Sequence, residues 1–189
     1  MLPPLPPPPR TGFVSVLAKI TLILAGISVA WSLLQSVGAL LLPDSVVAAA
    51  GDADWPLPQG LLWALEHRVA LSLALLLLSL LSLATAWGLL KRQEWARLVF
   101  IALLLLSAAG NLFSLLLVSQ LFDAIIAMYP KEFLSTTDGQ EFMAQMQASH
   151  LMWMGTSVAG VLAMGALHVW IAWKLCTAAV RAEFRPPAV

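Results

Sequence analysis

Four stretches of this chain are apolar for longer than a soluble core can use. They run over about residues 20–42, 69–90, 95–122 and 151–173, broken mainly by small or weakly polar side chains. An α-helix rises 1.5 Å per residue, so about 20 apolar residues cross the roughly 30 Å hydrocarbon core of a bilayer. In that core every backbone N–H and C=O must bond within its own segment, which makes such runs helices. Composition agrees. Hydrophobic residues are 60% of the 189 and charged ones 11%, against about a quarter charged in a soluble domain. Mean hydropathy is +0.88. The expected fold is an all-α integral membrane protein. Short connections make consecutive spans antiparallel, giving an up-down-up-down four-helix bundle.

The segments outside the runs divide the rest. Residues 1–12 open with Met-Leu-Pro-Pro-Leu-Pro-Pro-Pro-Pro-Arg. Successive prolines fix φ and remove amide donors, so this reads as a short polyproline II tail. Residues 13–180 are expected to form one transmembrane domain and 181–189 a second tail. Ala48-Ala49-Ala50 resembles a signal cleavage site, but the apolar run before it is longer than a signal peptide uses. Residues 43–60 read as a loop, and 123–149 as the largest polar connection. A turn or two of helix is expected before the second span. In the 123–149 connection Pro130 stops a helix. Thr137-x-x-Gln140 and Asp138-x-x-Glu141 have capping-box spacing, so a new helix is expected to start there and run into the fourth span.

Charge sets the expected orientation. Arg10, Lys19, Lys91, Arg92, Arg97, Lys174, Arg181 and Arg185 fall on one side of the spans; only Arg68 and Lys131 fall on the other. Glu94 and Glu183 accompany the basic group, and the other acids sit opposite. Basic loops stay cytoplasmic, so both tails and the 91–94 turn are expected inside. Trp87, Trp95, Trp170 and Trp173 then lie in the inner aromatic belt and Trp55, Trp63 and Trp153 in the outer one, with Trp31 near mid-membrane as the exception. A plasma (inner) membrane location is the expectation, taken from size and the absence of a targeting signal. Net charge is zero, which gives no reason to expect a nucleic-acid partner.

Weakly polar residues form stripes at helical spacing. Thr21, Ala25, Ser28, Ser32 and Gln35 share a face of the first span; Arg68, Ser72, Ser79, Ser82 and Ala86 share one of the second. Ser107, Asn111 and Ser114 align on the third, and His150, Ser157 and His168 on the fourth. Membrane helices pack through such residues. The candidate bundle-interior set is therefore Gln35, Arg68, Ser72, Ser79, Ser107, Asn111, Ser114, Ser157 and His168. Asn111 lies near mid-membrane, and Gln35 is a candidate partner for its amide. Gly155, Ala159 and Ala163 form a second small ridge that suits a neighbouring helix or another protomer.

Little of this points to chemistry. A single cysteine, Cys176, gives no disulfide, no CxxC and no Cys/His metal pattern. No Asp or Glu lies centrally in any span, where ion-coupled transporters commonly keep one. No nucleophile–base pair, phosphate loop or HExxH is present. His67 and His150 each lie 24 residues outward from a lysine, Lys91 and Lys174, so a b-type haem between them deserves a test. His67, however, is about 100° around its helix from the serine stripe. No catalytic, cofactor-binding or metal-binding residue is assigned. The expected function is a non-enzymatic accessory, assembly or interaction component, homo-oligomeric or bound to a membrane-protein partner. An oligomeric small-solute channel or exporter is the alternative, and a haem-containing redox subunit a lesser one.

Overall fold

The computed structural model describes residues 12–51 and 59–184, and all of its regular structure there is helical. The proline-rich tail at 1–11 lies outside the described residues. Eight helices follow in order: α1 (Gly12–Leu41), α2 (Asp44–Gly51), α3 (Gln59–Glu66), α4 (Arg68–Leu90), α5 (Glu94–Ala127), α6 (Lys131–Leu134), α7 (Thr137–Cys176) and α8 (Ala178–Ala182). Four of them, α1, α4, α5 and α7, are long and apolar enough to cross a membrane. They coincide with the four expected spans, α1 ending at Leu41, one residue short of the expected limit. The reading of 43–60 as loop needs correction, because Asp44–Gly51 is helical. Pro43 ends α1, and Asp44 then supplies the acid that a helix start favours ahead of Val-Val-Ala-Ala-Ala.

The helix starts and stops have local causes. Pro130, with φ −60° and ψ 143°, cannot continue α5 and opens α6. The α7 cap falls one residue before the expected boxes: Gly139 N–H donates to Thr136 Oγ1 at 3.1 Å. A Ser or Thr hydroxyl three residues ahead of an orphan amide is the usual N-cap arrangement. Gly139 itself is required there, since a Cβ would strike the Phe133 carbonyl oxygen and the Leu134 backbone. The α5–α6–α7 corner is filled by Tyr129, Phe133 and Phe142, with Tyr129 and Phe142 rings 4.5 Å apart between centroids.

The chain forms two compact units. Among the described residues the first comprises 12–36, 73–106 and 167–184; the second comprises 37–51, 59–72 and 107–166. In the first, Val14 and Ala18 of α1, Leu89 of α4, Ala96, Phe100 and Leu104 of α5, Leu175 of α7, Val180 of α8 and Phe184 form a buried cluster. Residues 181–184 of the expected tail are structured, the rest lying outside the described residues: Thr177 stops α7 in an extended conformation, and α8 and the turn after it return Val180 and Phe184 to the core. In the second unit α2 and α3 pack together, and His150 of α7 stacks on Phe122 of α5 at 4.7 Å.

Candidate functional site

The buried charges of the first unit gather around the turn between α4 and α5. That turn closes by a pair of bonds, Arg92 N–H to Leu89 O at 3.1 Å and Gln93 N–H to Gly88 O at 3.0 Å. This is the Schellman arrangement, which puts its C′ residue in the left-handed region and normally uses glycine. Here the residue is Arg92, with φ 57°. A left-handed conformation costs a residue with a Cβ about 1–2 kcal/mol. What offsets that cost is the side chain. Arg92 Nη1 lies 2.8 Å from Glu183 Oε2, and Nη2 donates to Ser15 Oγ at 2.9 Å. Glu183 is only 2% exposed. One guanidinium therefore ties together the start of α1, the α4–α5 turn and the segment after α8.

A second arginine fastens the same end. Arg97, 7% exposed, donates through Nη2 to Glu94 Oε1 at 2.7 Å and through Nη1 to the Leu175 carbonyl at 3.4 Å. Leu175 is in the last turn of α7, where carbonyls lack helical donors and the helix dipole favours a cation. The backbones also approach closely: a Cβ on Gly88 would sit 2.6 Å from Ala96 Cβ. These bonds make the cluster a fastening of the helix ends.

In the second unit Arg68 plays a comparable part. Its Nε donates to Ala39 O at 3.2 Å, Nη2 to Leu42 O at 2.8 Å, and Nη1 to Leu65 O at 3.3 Å. It thereby caps the C-terminal ends of α1 and α3. Nη2 also meets Asp44 Oδ1 at 2.7 Å, but Asp44 is 96% exposed. An exposed partner of that kind adds little, roughly 0–1 kcal/mol; the carbonyl bonds carry the interaction.

The other sequence-selected residues spread out. Ser72 is buried and donates to Val69 O; Ser79 donates to Leu75 O and shares a 3.0 Å bond with Ser32 Oγ. Ser157 is half-buried, while Gln35, Ser107 and Ser114 are exposed on the chain. Asn111 is half-buried; its carbonyl accepts from Ser114 Oγ, and its side-chain amide has no partner among the described residues. Gln35 likewise bonds nothing through its amide among those residues. His168 is 9% exposed, with Nδ1 buried and unbonded among the described residues.

The two histidines considered for haem each serve their own surroundings. His67 stacks on Trp63 at 4.7 Å, with Nδ1 3.0 Å from the Trp63 carbonyl oxygen. His150 stacks on Phe122, with Nε2 3.5 Å from Ser119 Oγ. Among the described residues no three His, Cys, Asp or Glu side chains gather as a metal site. Sequence reasoning passed over Arg92, Arg97 and Glu183, reading them as topology charges. The signal was present: Glu94 and Glu183 are the two acids on the basic side, and each meets an arginine. No protein-family model matches the chain, and no curated protein or solved structure matches it.

Proposed function

We propose that this is a non-catalytic membrane component, an accessory, assembly or interaction subunit of the plasma membrane whose work is done by its helix faces. One observation carries the reading. Arg68, Arg92 and Arg97, three cations that could otherwise hold an anion, are engaged in closing the chain's own turns and helix ends. Meanwhile long apolar surfaces stay uncovered, including Ile23, Ile27, Leu34, Leu105, Leu116 and Leu162. Surfaces of that kind suit lipid and other membrane helices. In this reading both termini and the 91–93 turn are cytoplasmic, and the 43–60 and 123–149 connections are external, following the basic residues.

The test is isolation of the full chain from its native membrane in mild detergent. A stoichiometric assembly, either of copies of this chain or with another membrane protein, is the expected result. A monodisperse monomer that turns over a substrate would oppose it.

A further inference from the structure

The ion pairs of the first unit engage both of its acids. Its described residues carry six basic side chains and two acidic ones, and the acids, Glu94 and Glu183, are held by Arg97 and Arg92. Lys19, Lys91, Lys174 and Arg181 are left without an acidic partner among the described residues. Lys19, Lys91 and Arg181 are exposed, and Lys174 is half-buried.

The same fastening gathers these four cations at one end of the unit. Lys91 precedes Arg92, Arg181 lies two residues before Glu183, and Arg92 holds Glu183. Lys174 precedes Leu175, whose carbonyl accepts from Arg97. Lys19 is about one helical turn beyond Ser15, the other acceptor of Arg92. Four tryptophans belong to this end. Trp87 lies one turn before Lys91, Trp95 follows the α4–α5 turn, and Trp170 and Trp173 fall in the turn of α7 that ends at Lys174; all four are exposed. Phe13 packs edge-on against Trp170 at 5.8 Å, which sets the start of α1 beside the end of α7. The Lys91 ammonium lies 5.1 Å from the centre of the Trp87 ring. A cation over an indole face is held in place without being neutralised.

Exposed tryptophans settle at the headgroup level of a bilayer. Lysine stems beside them carry their ammonium groups to the same level, Lys19 from within the span. An ammonium donates three hydrogens and accepts none, so its complement is an anion. The acids of this end are already taken. Phosphatidylcholine offers a phosphate with a compensating choline charge, whereas an anionic phospholipid brings a net negative charge to the basic side chains.

We propose that the basic end of the first unit binds anionic phospholipid headgroups, with Lys91, Lys174 and Arg181 on the phosphates and the exposed tryptophans flanking them. This names the lipid class that the chain selects, and it rests on the reading of the long helices as membrane spans.

The experiment uses the full chain in phosphatidylcholine vesicles. Part of the lipid is replaced, at equal bromine content, by brominated phosphatidylglycerol or brominated phosphatidylcholine, and quenching of tryptophan fluorescence is read. Relative affinity should favour the anionic lipid about fivefold, the equivalent of ~1 kcal/mol for one cation near an anionic surface. Lys91→Gln, Lys174→Gln and Arg181→Gln combined should bring the ratio to about one. Helix content should be unchanged, because none of the three holds an ion pair within the described chain. Lys131→Gln, in the second unit, should leave the ratio as it was. Equal quenching by the two lipids, a preference that survives the triple replacement, or one lost as fully in Lys131→Gln, overturns the proposal. Quenching by neither lipid would mean that the helices are not in the bilayer, and the membrane reading fails with it.

Discussion

The two units carry opposite charge and use it differently. The first holds Lys19, Lys91, Arg92, Arg97, Lys174 and Arg181 against Glu94 and Glu183; the second holds Arg68 and Lys131 against Asp44, Glu66, Asp123, Glu132, Asp138 and Glu141, counting described residues. In the first, both acids are consumed by arginines, and one of those pairs is almost fully buried. In the second, Arg68 is spent on backbone carbonyls and most acids point to the surface. A buried pair is a poor source of net stability but an unforgiving one to break, because the survivor is left as an uncompensated charge. An exposed acid can be removed at almost no cost. The first unit should therefore be brittle toward single charge deletions, and the second tolerant except at Arg68.

The largest effect should come from Glu183→Ala or Arg92→Ala, each about 3–5 kcal/mol, as expected for breaking a buried ion pair. Denaturant unfolding in detergent micelles measures it. A double replacement costing clearly less than the sum of the two singles would show that the pair acts as a unit. Next comes Gly139→Ala in the second unit, where the added methyl meets backbone. Overpacking of that kind costs about 1–3 kcal/mol, read as a lowered Tm. Arg68→Ala should cost about 2 kcal/mol, since bonds from a charged donor contribute about 1.5–3 kcal/mol. Asp44→Asn should leave stability within about 0.5 kcal/mol, as for surface changes generally. If Asp44→Asn matched Arg68→Ala, the ion pair and not the capping would be the working contact. The smallest effect is salt: 1 M NaCl shortens the screening length to about 3 Å, which should leave the first unit's buried pair intact in the same assay.

How much of this was legible in the sequence depends on the range of the interaction. The four long helices were, because apolar length is a local property that tertiary contacts do not alter. The continuous run from residue 137 into the fourth span was legible from another local signal, the capping-box spacings at its start. The cap at Thr136 was missed by one residue, because Ser135, Thr136 and Thr137 all qualify and only the α6 geometry selects among them. Helix α2 was missed because a proline and three aspartates outweighed Val-Val-Ala-Ala-Ala. The Arg92–Glu183 pair was not legible at all. It joins residues far apart in the chain, and its arginine occupies a position where glycine is expected. The stripes show the same limit. Periodicity groups Ser107, Asn111 and Ser114 on one face of α5, yet it does not say whether that face looks toward the chain's own helices or away from them.

The central claim is that these helices are membrane spans, with the 91–93 turn cytoplasmic and the 123–149 connection external. Single cysteines at Gln93 and Ser135, each exposed, in a Cys176→Ser background test it directly when intact cells are treated with an impermeant thiol reagent. Ser135→Cys should label at once, and Gln93→Cys only after the membrane is opened. Equal labelling of both in intact cells, or labelling of Gln93→Cys alone, would contradict the account.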